Sequence, residues 1–124
     1  MANNNRNSRM DFYSARLLFV SLIEGRKAKK TNLYDDSVIV FKAKNFDHAF
    51  QRALEIGKAN ETTYKNGYGQ TVHWALIEIV NLDYVGKKID GHEVASKLHR
   101  RTSEKPFALT TRFHPEKSKP APSF

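Results

Sequence analysis

Residues 37–58 read SVIVFKAKNFDHAFQRALEIGK, and the change of period inside this stretch decides the fold class. From Ser37 to Lys44 the chain is β-branched and aromatic, the composition of a strand. Asn45 then offers a side-chain oxygen that can accept from an otherwise unpaired N–H at the start of a helix. After it, Phe46, Ala49, Phe50, Ala53, Leu54 and Gly57 recur at three- and four-residue spacing, with Arg52, Glu55 and Lys58 on the opposite side. The spacing predicts an amphipathic helix from about 46 to 60. Phe50 and Leu54 are expected to bury against a sheet, and the small Ala49, Ala53 and Gly57 would let the helix lie close to it.

Toward the N-terminus, FYSARLLFVSLIE at 12–24 carries one apolar face: Tyr13, Ala15, Leu17, Phe19 and Ile23. Its other face starts polar at Ser14 and Arg16 and turns apolar at Leu18, Val20 and Leu22. Length and composition favour a strand. The charge-rich GRKAKKTNLYDD that follows reads as a hairpin loop. Toward the C-terminus, TVHWALIEIVNLDYV at 71–85 reads as a long strand. Val72, Trp74, Leu76, Val80 and Leu82 are expected on one face, interrupted by Glu78, with His73, Ala75, Ile77 and Ile79 on the other. Asp90-Gly91 is a strong two-residue hairpin signal, so a further strand is expected from about Glu93 to His99.

The result is an α+β prediction: a two-layer domain with a four-stranded, mostly antiparallel sheet and one helix on one face, in the order β-β-α-β-β. If its second and third strands were neighbours they would be parallel, with the helix as a right-handed crossover. Residues 1–11 read as a disordered lead, 12–101 as a single domain, and 102–124 as a basic, proline-containing tail.

The chain has 124 residues, a net charge of +8 and no cysteine. Disulfides, zinc–thiolate centres and thiol nucleophiles are thereby excluded. The longest apolar run is too short to cross a bilayer, and MANNNRNSRMD lacks the apolar core of a secretory signal. A cytoplasmic protein that does not enter membranes is expected. The positive charge gathers at Arg26, Lys27, Lys29 and Lys30 and at Lys97, Arg100 and Arg101.

Three segments together, FYSARLLF, SVIVFKAKNFDHAFQRALEIGK and YKNGYGQTVHWALIEIVNLDYV, resemble the small bacterial domains of domain-of-unknown-function family forty-two eighty-eight. The match runs from about Phe12 to Leu98. Its most specific elements are the opening aromatic-Tyr-Ser-Ala-basic-Leu segment, the Tyr-x-Asn-x-x-Gly loop and the Val-x-Trp strand. Phe12 stands where the family often has Trp. The resemblance implies a stand-alone, single-domain cytoplasmic protein and assigns no chemistry. Some small bacterial domains of this size are immunity proteins to toxins, an analogy of class rather than of motif.

The residues themselves offer little catalysis. His48, His73, His92, His99 and His114 show no metal-ligand spacing. No glycine-rich strand–turn–helix and no G-x-S-x-G elbow is present. Asp35-Asp36, the one carboxylate pair, reads as exposed turn residues. Neither an enzyme, a metal nor a cofactor is expected.

YKNGYGQTVHW at 64–74 is read as turn and core geometry, with Asn66-Gly67 and Gly69 supplying positive φ. Tyr64, Asn66, Tyr68 and Gln70 remain as candidate partner-binding residues on that loop. The functional expectation is a non-catalytic protein-binding module, an immunity or adaptor protein, whose partner is a toxin or a second copy in a homodimer. The alternative is a nucleic-acid-binding module using the two basic clusters and the strand aromatics Tyr13, Phe19, Trp74 and Tyr84.

Overall fold

The computed structural model describes residues 9–96 and 98–122. Among them the chain forms strands β1 (Asp11–Ile23) and β2 (Tyr34–Ala43), helix α1 (Phe46–Ala59), strands β3 (Thr62–Lys65) and β4 (Thr71–Gly86), and a 3₁₀ turn at Pro115–Lys117. The sheet order is β2-β1-β4-β3, and every neighbouring pair is antiparallel. The α+β class, the single helix and the β-β-α-β-β order stand. No helix among the described residues is long and apolar enough to cross a membrane.

Two connections differ from the sequence expectation. The fourth strand is the short β3, between the helix and β4; residues 93–96 and 98–99 are irregular. Asp90-Gly91 forms an isolated turn, with His92 N–H donating to Ile89 O at 3.1 Å and Gly91 at φ +75°. The strand read as third is β4, and β1 separates it from β2, so the helix links opposite edges of the sheet rather than parallel neighbours.

β1 is an interior strand between β2 and β4, and its inward row is unbroken, although Ser14 and Val20 on its other face are buried as well. Tyr13, Ala15, Leu17 and Phe19 are buried under the helix side together with Phe41, Ala43, Ala49 and Ala53. β4 departs from alternation because its register with β1 shifts three times. Residues 77, 80 and 85 of β4 have no partner on β1, so each acts as a β-bulge that inserts one residue and turns the following side chains over. Ile79, not Val80, therefore packs against the core beside Trp74, Leu76 and Leu82. Glu78 pairs with Leu18 on the helix-free face, so it no longer interrupts an apolar row.

Helix α1 starts as expected. Asn45 Oδ1 accepts from His48 N–H at 2.8 Å, and His48 Nδ1 in return accepts from Lys44 N–H at 2.9 Å. The half-buried His48 is thus part of the cap. The expected inward stripe holds at Ala49, Ala53 and Gly57, which are the buried positions, and needs correction at Phe50, which is 44% exposed. A curled sheet brings the backbones close, so only small residues fit between them. A Cβ at Gly57 would stand 2.7 Å from Leu76 Cδ2. Phe50 and Leu54 flank this seam and line a groove against Leu76–Ile79 of β4.

Candidate functional site

Helix α1 covers only the half of the sheet where β2 ends. Over the other half, the helix side of the sheet is open and forms a cleft of about 650 Å³, within the range of small-molecule and side-chain sites. Its floor is Leu17, Phe19 and Ile39. Tyr64 of β3 and Trp74 of β4 form one wall, locked together by the indole Nε1–H, which donates to the Tyr64 hydroxyl at 3.2 Å. Asp35 and Ser37 of β2 face them, and Ser37 Oγ donates to Asp35 Oδ2 at 3.2 Å. Asn60, at the helix C-terminus, and Thr62 close the rim.

The placement follows from the strand pairing. Asp35 lies opposite Phe19 and Ser37 opposite Leu17, so both project to the core side. Asp36 projects to the other face and pairs with Arg16 at 3.6 Å. Reading Asp35-Asp36 as turn residues therefore missed that they lie in a strand and on opposite faces. The signal was present in the sequence: Asp35 and Ser37 continue the inward alternation of Ile39, Phe41 and Ala43, at positions where a core strand would carry apolar side chains.

The stretch from Tyr64 to Trp74 is the β3–β4 hairpin rather than a helix-to-strand connection. Gly69 N–H donates to Asn66 O at 3.1 Å, Asn66 N–H donates to Gln70 O at 2.9 Å, and Gly69 adopts φ +74°. This is a type I turn closed by a left-handed glycine. Gly67 does not need positive φ. Asn66 is the organiser: its Oδ1 accepts from the N–H groups of Tyr68 and Gln70, and its Nδ2 donates to Gln70 Oε1 at 3.1 Å. Asn66 and Gln70 are thus occupied in shaping the loop, and Tyr64 belongs to the cleft. Tyr68 projects freely, at 91% exposure. Asn66→Ala should lower stability by about 1–2 kcal/mol in a denaturant melt, because two backbone donors lose their acceptor. Tyr68→Ala should stay within about 0.5 kcal/mol.

Of the basic clusters, Arg26, Lys27 and Lys29 of the β1–β2 loop surround a second hollow of about 530 Å³ together with Leu22 of β1 and Leu33 of the loop. Lys30 is exposed in the same loop, and Arg100 and Arg101 are exposed in the irregular segment after β4. Lys97 lies outside the described residues. The aromatic platform required for base stacking is largely spent on the core: Tyr13 and Phe19 are buried, and Trp74 is half-buried in the cleft wall. Tyr84 is exposed but stacks edge-on against Tyr13 and donates to Asp11 Oδ2 at 2.8 Å. That hydrogen bond, then partial desolvation and the carboxylate's charge, hold its phenol above the usual tyrosine range.

His73 sits between Thr63 Oγ1 at 3.0 Å and Glu24 Oε2 at 3.2 Å, which ties the hairpin to the end of β1. Both ring nitrogens are thereby engaged. Among the described residues, no three His, Cys, Asp or Glu side chains converge as metal ligands would.

No curated protein and no solved structure matches the chain. A family model does, over residues 12–96, a span that holds nearly all of β1 and all of β2, α1, β3 and β4. The chain therefore belongs to the family described as Domain of unknown function (DUF4288).

Proposed function

We propose that this chain is a non-catalytic protein-binding module that engages its partner through the helix-free face of the sheet. The observation that carries the reading is a set of exposed apolar side chains on that face. Tyr34, Val38 and Val40 of β2 are all exposed, and Leu22 of β1 joins them. The strand register puts Tyr34, Val38 and Val40 opposite Val20, Arg16 and Ser14, on the side away from α1. An antiparallel sheet whose second face meets only water normally carries polar residues there. Grouped, exposed apolar side chains mark interaction surfaces.

A second copy of the chain is the simplest occupant, giving a homodimer through the sheet. An immunity or adaptor role in the cytoplasm extends the same reading to a toxin or another protein. The small size of the domain supports that extension.

Light scattering over a concentration series tests the surface. The mass should rise from 14.2 kDa toward twice that value, and Val38→Asp with Val40→Asp should hold it at the lower figure. A mass constant at 14.2 kDa, together with β2 amide exchange unchanged in a host extract, would count against the reading.

A further inference from the structure

We propose that the cleft between the start of β2 and the β3–β4 hairpin binds an alkylammonium or guanidinium group, with Asp35 as its counter-ion and the Tyr64–Trp74 pair as its aromatic wall. This site opens on the side of the sheet that carries α1; Val38 of the edge strand β2 borders both it and the surface proposed above, but Asp35, Tyr64 and Trp74 belong to the cleft alone, so the two are tested separately.

The chemistry of the lining selects the charge of the ligand. The protein carries 21 Lys and Arg, yet none is among the residues that line this cleft. Asp35 is its sole ionisable acid or base apart from the Tyr64 phenol, and the carboxylate makes no ion pair among the described residues. Its neighbour Ser37 donates to it, which leaves the serine lone pairs free to accept. On the opposite wall the indole N–H is already committed to the Tyr64 hydroxyl, so the donors left to an anion are the neutral groups of Tyr64, Asn60 and Thr62, with no cation among them. A carboxylate and a free hydroxyl acceptor therefore face two aromatic rings. An anion would meet Asp35 unscreened by any lining cation. A neutral apolar group would strip water from the carboxylate without replacing its hydrogen bonds. An organic cation satisfies both walls, through charge-assisted hydrogen bonds to Asp35 and the quadrupole of the rings. Asp35 and Ser37 occupy inward strand positions in line with Ile39, Phe41 and Ala43, with the Asp35 carboxylate exposed at the mouth of the cleft.

Trp74 is the one tryptophan of the chain, so its fluorescence reports on this wall alone. The protein is titrated with n-butylammonium and butylguanidinium, and separately with capped Gly-Lys-Gly and Gly-Arg-Gly peptides. Butanol and butyrate serve as the neutral and anionic probes. A saturable change is expected with the cations, at least about tenfold weaker with butanol or butyrate. Asp35→Asn should weaken cation binding by a similar factor, whereas Asp36→Asn, on the opposite face, should leave it unchanged. Tighter binding of the peptides would identify the ligand as a side chain of another protein, and equal binding would identify a free amine. Either result supports the site. No saturable change with any cation, equal affinity for butanol or butyrate, or Asp35→Asn binding as well as the parent would overturn it. Circular dichroism and the thermal midpoint of Asp35→Asn confirm that the variant is folded when it is titrated.

Discussion

Phe41→Ala will lower stability by about 3–5 kcal/mol, while Phe50→Ala will cost only about 1 kcal/mol. Phe41 is 7% exposed on β2, enclosed by β1 on one side and α1 above. Arg52 of the helix reaches over its ring, 5.7 Å from the centroid, and donates to Lys42 O at 2.7 Å. Truncation therefore removes a buried ring and leaves a cavity beneath a tethered helix, which cannot settle freely into the space. Phe50 keeps 44% of its surface in water, so it has much less transfer free energy to lose. The check is a pair of urea melts: a large fall in midpoint at unchanged slope for Phe41→Ala, and a small one for Phe50→Ala. Equal losses would mean that the helix turns its large residues inward after all.

Leu17→Ala should cost about 2–5 kcal/mol. Leu17 has no exposed surface and lies at the middle of the central strand, between Ser37 of β2 and Ile79 of β4. Where its cost falls in that range depends on the cleft above it. If Tyr64 and Trp74 close down, the void shrinks and the cost moves to the lower end; if the locked pair holds its place, the cost moves to the upper end. Trp74 fluorescence follows the choice directly, since collapse would change the environment of the ring. A loss below about 1 kcal/mol would show that Leu17 is not a core residue.

The sequence carried the class of this fold because two signals were strong. Asn45 marked the switch from a period of two to a period of 3.6, and the row Tyr13, Ala15, Leu17, Phe19 marked the buried face of β1. Details set by backbone geometry were not legible. Ala49, Ala53 and Gly57 were legible as the residues nearest the sheet, but not that so close an approach leaves Phe50, on the same stripe, largely in water. Strict alternation cannot register three bulges, so Ile79 and Val80 were exchanged. β3 has four residues, Thr-Thr-Tyr-Lys, all exposed, with no apolar pattern to announce a strand; β4 recruits it through backbone pairing. The cleft was half legible. Tyr64 and Trp74 stood out as aromatic, but Asp35 and Ser37 gained meaning only once β2 was seen to begin at Tyr34.

The central place of β1 has a consequence during synthesis. β1 is the first strand of this sheet to be made, and β2 can pair with it as a local hairpin, but its other neighbour is the last strand of the sheet. Phe12 pairs with Gly86, so the ladder cannot close until the whole of β4 has left the ribosome. Until then one edge of β1 presents unpaired N–H and C=O groups beside Tyr13, Leu17 and Phe19, a template for the wrong strand. Pairing between ends so distant in sequence is slow, because the intervening chain must lose its freedom before the contacts form. A nascent chain stalled with Gly86 still inside the ribosome would therefore hold an open, apolar strand edge and depend on chaperones, whereas one stalled once Gly86 has emerged could already complete the sheet.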